Sequence, residues 1–254
     1  MEKQSLKEVN VIDKYDKRAL NELERWKREM RKSPSIINRA SKGVQTKFNS
    51  ILPDKYHEIV TFAISNMVKV VLTGSKYVTK KDYPVMNLRE KEKLVREKLK
   101  LYRNTAMVEG IGTGAGGILM SFADFPLLLT IKIKFLYDIA AIYGYDITDY
   151  KERLYILNIF QLAFSSQSKM NHVFYNMENW SEYSRDLPQE MDPEAWRDFQ
   201  QEYRDYLDIA KLLQMIPGVG AVVGGYTNSK LLNKLGVTAM NAYRMRLTQE
   251  IERI

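Results

Sequence analysis

Apolar residues recur at three- and four-residue spacing along most of the chain, and no convincing two-residue alternation appears anywhere. Leu6, Val9, Ile12, Ala19, Leu23, Trp26 and Met30 form one stripe with a single gap, which predicts an N-terminal helix that Ser33-Pro34 ends. Ile59, Val60, Ala63, Met67, Val70 and Val71 predict a second helix after Pro53, and "TGSKYVTKKDYPVMN" reads as a connection. Asn87 with Glu90 three residues on has the form of a capping box for a charged helix ending near Glu109. Asp124 is placed to cap the next helix, which carries Pro126 in its first turn and ends at Gly144. Asp149 with Glu152 begins a helix through "YKERLYILNIFQLAFSSQSK", and Asp192-Pro193-Glu194 begins one that Pro217 ends. Leu231, Leu232, Leu235, Ala239, Tyr243 and Leu247 mark the last helix. The pattern predicts an all-α fold, about nine or ten helices at typical lengths.

Two glycine-rich stretches interrupt this pattern. "EGIGTGAGGILMSFADFP" holds Gly110, Gly112, Gly114, Gly116 and Gly117, and "IPGVGAVVGG" holds Gly220 and Gly224. Gly112, Gly114 and Gly117 match G-x-G-x-x-G in form. A dinucleotide loop needs a strand before its glycines, however, and a charged helix is predicted there. Four-residue spacing puts Gly110 with Gly114, Gly112 with Gly116, and Gly220 with Gly224 on one helix face, where small residues let two backbones approach. These glycines are therefore expected to pack helices. Membrane passage is a poorer fit, because only 14 uncharged residues separate Glu109 from Asp124 and a spanning helix needs about 20. A shallow hairpin at the bilayer surface stays open.

Charge divides the chain unevenly. Residues 1–104 hold 25 Lys and Arg against 13 Asp and Glu, whereas residues 105–254 hold 14 against 18. The division suggests a basic N-terminal helical part and a glycine-rich helical core within one domain over 1–254. The basic turn around Arg25, Trp26, Lys27, Arg28, Arg31 and Lys32 has the residue types that an anionic membrane surface or a protein partner would use. No reading-helix or stacking motif accompanies the basic residues, so nucleic acid is not expected as a partner. With no cysteine, disulfides and Cys-ligated zinc are excluded. A mean hydropathy of -0.37 and a polar N-terminal stretch point to a cytoplasmic protein, peripheral at the inner membrane face.

Catalytic chemistry finds little support. The two histidines, His57 and His172, fall on different predicted helices, and no metal or cofactor site is expected. Ser166 and Lys169 match S-x-x-K without the partner motifs that hydrolases of that group need. Glu109 and Asp124 flank the glycines and form the one candidate polar site, although Asp124 suits a helix cap better. Lys132, Lys134 and Asp138 interrupt an apolar helix, and Lys134 with Asp138 is expected to pair on its polar face.

Around these residues the chain resembles the EcsC family. The resemblance rests on "EGIGTGAGGILMSFADFPLLLTIKIKFLYDIAAIYGYD", "ERLYILNIFQLAFSS" and "LLQMIPGVGAVVGGYTNSKLLNKLGVTAMNAYRMRL", and it extends to "LERWKREMRKSPSIINRASKGVQTKFNSILPDKYHEIV", where Leu52 departs from the family's isoleucine. The two glycine blocks are also similar to those of a domain attached to some membrane-associated GTPases. The resemblance implies a bacterial, non-enzymatic accessory or adaptor role at the cytoplasmic membrane face, beside an ABC transporter's subunits. It supplies no catalytic residue. The alternative from another class is an enzyme or small-ligand-binding protein with a pocket near Glu109 and Asp124.

Overall fold

The computed structural model describes residues 13–32, 54–74, 83–112, 125–165, 167–187 and 224–251, with Gln201, Tyr203 and Leu207; side chains at 54–57, 105–112, 167–168 and 224–228 lie outside that description. Among the described residues there are eight helices and no strand. They are α1 (Lys14–Met30), α2 (Asp54–Thr73), α3 (Leu88–Gly112), α4 (Phe125–Tyr143), α5 (Tyr150–Phe164), α6 (Gln167–Glu178), the single turn α7 (Trp180–Tyr183) and α8 (Gly224–Ile251). The helix predicted from Asp192-Pro193-Glu194 falls outside the described residues.

Local chemistry explains most of the boundaries. The Glu90 amide donates to Asn87 Oδ1 and the Asn87 amide donates to Glu90 Oε2, both at 3.0 Å, so the capping box opens α3 as expected. At the end of α4, Gly144 adopts φ +95°, and the amides of Gly144 and Tyr145 both reach the Ala140 carbonyl. Asp149 caps α5 through the Lys151 amide, but Glu152 does not reach back to complete a box; it is buried elsewhere. The expected single helix across residues 150–169 is divided at Ser165. Its hydroxyl donates to the Gln161 carbonyl and its backbone bridges to Leu207, which stops α5 and starts α6. α3 also runs past Glu109, so that Gly110 and Gly112 lie within its last turn.

Helices α4 and α5 form the centre. α2 lies against both of them, while α8 packs along α3, α4 and α5, and α1 closes the far side against α8, α3 and α6. Buried tyrosines tie these layers through main-chain carbonyls: Tyr137 donates to Val71, Tyr155 to Ala242 and Tyr203 to Leu157. Gly236 on α8 faces both α3 and α4, where a Cβ would just touch Leu99 and Phe135 at 3.4 Å. This packing glycine is not one of those the sequence pattern singled out. Of that set, Gly224 opens α8, and Gly114, Gly116, Gly117 and Gly220 lie outside the described residues.

The expected polar face of α4 is corrected. Thirteen of its 19 residues are buried, so the helix is enclosed nearly all round. Asp138 pairs across to α3, with Lys98 at 3.1 Å and the Tyr102 hydroxyl, and Lys134 points to solvent. Lys132 is fully buried, near the Leu128 carbonyl at 3.5 Å, and burial pulls its ammonium down to about 7 from an ordinary 10.5. In the window between those two values the unfolded chain binds a proton that the folded chain does not, so this group makes stability rise with pH from about 7 to 10.5. Relative to Lys132→Met, the wild type should gain roughly 2–5 kcal/mol across that window in denaturant unfolding. Parallel stability profiles for the two proteins would show that the lysine does not titrate in the core.

Candidate functional site

α1 presents two faces of opposite character. Ala19, Leu23 and Trp26 are buried, with Met30 packed at the edge of the same core. Opposite them, Lys14, Arg18, Asn21, Arg25 and Arg28 are all exposed at successive spacings of four and three, and Lys32 continues the line beyond the helix end. At 100° per residue these positions fall within about 40° of one line, and Lys14 to Arg28 spans about 21 Å. No carboxylate interrupts the row. Arg18 and Lys32 also pair with Glu22 and Glu29 beside it, contacts that leave the cations at the surface.

Within the predicted basic turn, Trp26 and Lys27 face the body, and Arg31 is exposed but paired. Trp26 is not an exposed aromatic: it is 8% exposed, and its ring meets Phe174 of α6 edge-on at 5.5 Å, because it lies three residues from Leu23 on the apolar face. Lys27 is half-buried and pairs with Glu24 at 3.1 Å. Arg31 fastens α1 to α6 through Glu178 at 2.5 Å, with its guanidinium over the Phe174 ring. Arg25, Arg28 and Lys32 keep the surface position, and the structure adds Lys14 and Arg18 to them. The four-three-four spacing from Lys14 carried that signal, but the denser cluster at 25–32 concealed it.

A buried polar cluster holds the other side of α1. Glu92 of α3 is fully buried, and Arg244 of α8 clamps it with Nε to Oε1 at 2.5 Å and Nη2 to Oε2 at 2.6 Å. The third guanidinium nitrogen donates to Glu22 of α1 and to Asn241, each at 3.1 Å. Tyr15 of α1 donates to Glu92 Oε2, where Arg96 also donates. Burial works against the Arg244 charge, but hydrogen bonds and attraction from Glu92 outweigh it and raise the guanidinium above its ordinary range. Burial, with Glu92 beside it, also pushes the Tyr143 hydroxyl well up, so it remains a neutral donor. A fork of two short charge-assisted bonds fixes the orientation of both partners. A second pair, Glu152 with Arg246, joins α5 to α8; Tyr243 donates to the same carboxylate and Arg246 lies 3.9 Å from the Tyr145 ring centroid.

The candidate polar site is not assembled within the described residues. The backbone of Glu109 lies in α3, but its side chain and all of Asp124 fall outside them, as does the side chain of His57. His172 is exposed on α6. A cleft of about 60 Å³ between α2 and α4 is lined by Ala63, Met67, Val70 and Ile133 with only Asn66 and Thr130 among its polar side chains, so it offers no proton-transfer group. Among the described residues no group of three or more His, Asp or Glu is arranged to hold a metal ion.

The orientation of the α1 basic row follows from the docking of α1, in which the Glu92–Arg244 clamp takes part. Glu92→Gln should cost up to about 3–5 kcal/mol in equilibrium unfolding, because the buried Arg244 then keeps only the partly exposed Glu22 as counter-ion. Replacing both partners by methionine should cost less than the two single changes together. A single substitution within about 0.5 kcal/mol of wild type would show that the clamp carries no stability.

Comparison with known proteins matches most of the chain's length. Over 226 residues the chain is 45% identical to Protein EcsC of Bacillus subtilis (strain 168), covering 89% of this chain and 93% of that protein. It is also 32% identical over 143 residues to Uncharacterized protein YdbA of the same organism, covering 56% of this chain and 53% of that one. No solved structure matches. The model of the EcsC protein family matches residues 17–248, from the first turn of α1 to the last turns of α8. The chain belongs to the EcsC protein family.

Proposed function

We propose that the protein is a non-enzymatic accessory protein that rests the basic face of α1 on an anionic membrane surface. The observation that carries this reading is the row of Lys14, Arg18, Arg25, Arg28 and Lys32, with only Asn21 between them on its line, on a helix whose opposite face is packed into the core. Such a row is held rigid, so its cations meet a charged plane together. Each lysine or arginine near an anionic bilayer contributes about 1 kcal/mol, and four or five engaged residues give measurable affinity. Among the described residues no helix is long and apolar enough to cross a membrane, so attachment from the surface suits this chain better than passage through the bilayer. With Trp26 buried, charge rather than aromatic insertion would supply the attraction.

The test is co-flotation with lipid vesicles. Wild type should float with vesicles containing phosphatidylglycerol but not with pure phosphatidylcholine, and salt should release it, since screening shortens the reach of surface charge to about 8 Å at physiological ionic strength. Lys14→Glu with Arg25→Glu and Arg28→Glu should lower binding at least about tenfold. These positions are exposed and away from the clamp, so folding should be preserved. Equal flotation of wild type and variant on anionic vesicles would contradict the reading. Failure of the wild type to bind either vesicle would favour the ABC-transporter subunit implied by the family resemblance as the occupant of this face.

A further inference from the structure

We infer that α3 supplies a second row of cations to the same face, so that the membrane-binding surface is built from two helices and exists only while α1 is docked. The inference rests on the membrane reading of α1 and extends it to residues that the basic N-terminal turn does not include.

On α3, Arg89, Lys93, Arg96 and Lys100 are all exposed, again at spacings of four, three and four. They cover an arc of about 60° of the helix and about 16 Å of its length. The exposed carboxylates Glu90 and Glu97 fall beyond the far edge of that arc, so this row too is free of acidic interruption. Its position relative to α1 is fixed by contact. Arg96 donates to Glu92 at 3.1 Å, its guanidinium stands 5.9 Å from the centroid of the Tyr15 ring, and Tyr15 itself donates to Glu92. The α3 row thus includes the residue that touches α1, since Arg96 stands over Tyr15, the neighbour of Lys14 in the α1 row.

The shape of this surface selects its partner. A small anion is held by donors converging on one point, whereas these cations run along two helices that touch through Tyr15, Glu92 and Arg96. An extended plane of phosphate groups, as an anionic bilayer offers, can engage both rows together. Duplex or single-stranded nucleic acid also carries phosphates, but sequence-tolerant binding of single strands uses aromatic side chains as stacking platforms. Tyr15 turns its hydroxyl into the clamp and Trp26 is buried, so neither provides one.

The experiment compares the full chain with two variants, one carrying the three α1 substitutions and the other Lys93→Glu with Lys100→Glu. Binding is measured on vesicles of equimolar phosphatidylcholine and phosphatidylglycerol, with circular dichroism and melting to establish that each variant is folded. The α3 variant should bind about tenfold or more weakly than wild type and show a shallower dependence on salt. Should the charge reversals impair folding, Lys93→Gln with Lys100→Gln should still weaken binding, by a smaller factor. If the α1 variant loses binding while the folded α3 variant binds as wild type, the two-helix surface is wrong and α1 acts alone. If neither variant differs from wild type, the membrane reading of α1 fails as well. Equal sensitivity of duplex RNA binding to both variants, without vesicle binding, would overturn the choice of a bilayer.

Discussion

The buried fork between Glu92 and Arg244 is the interaction on which the arrangement of α1, α3 and α8 depends. Each ion alone would be costly to remove from water, and their mutual attraction offsets that cost only when the remaining donors and acceptors are also satisfied. Here they are: Glu92 accepts from Arg244, Tyr15 and Arg96, and Arg244 donates to Glu92, Glu22 and Asn241. A clamp of this kind adds less to net stability than an apolar replacement of equal volume could. What it fixes is register, because one guanidinium has to meet groups from three helices at once.

That geometry explains how a strongly charged helix is held against a core. α1 buries only Ala19, Leu23 and Trp26, a short apolar stripe for 17 residues. Polar pins supplement it at both ends: Tyr15 and Glu22 reach the clamp, and Arg31 reaches Glu178 beside the Trp26–Phe174 contact. With one side fixed, the opposite side is committed to solvent, and that side carries the basic row. Docking and display are therefore two consequences of the same helix orientation. The Glu152–Arg246 pair repeats the device between α5 and α8, where burial pushes the carboxyl up despite Arg246 and Tyr243, and where tyrosine rings cover the guanidinium.

The local signals in the sequence were legible because they act over three to five residues. Asn87 with Glu90, Asp149 and Gly144 set helix ends through their own backbone neighbours, and the apolar stripe of α1 followed from spacing alone. Long-range choices were not legible in this way. Glu92 and Arg244 stand 152 positions apart, and nothing near either residue distinguishes it from the exposed charges around it. Lys134 and Asp138 stand four apart as a polar pair would, yet Asp138 turns to Lys98 and Tyr102 of α3, and of the two lysines Lys132 is buried while Lys134 is exposed. At the surface, charge is densest over residues 25–32, but burial takes Trp26 and most of Lys27 out of reach. Trp26 and Lys27 turn toward the body, Arg31 stays exposed while pairing with Glu178, and Lys14 and Arg18 complete the exposed row.

The central claim is that the clamp docks α1 and thereby orients its basic face. Native-state hydrogen exchange, compared between wild type and Glu92→Gln, tests it most directly, since local opening is read separately for each helix. The account predicts that the amides of α1 lose protection first and by the largest factor, while those of α4 and α5 stay close to their wild-type values. Unchanged protection in α1, or an equal loss across every helix, would contradict it.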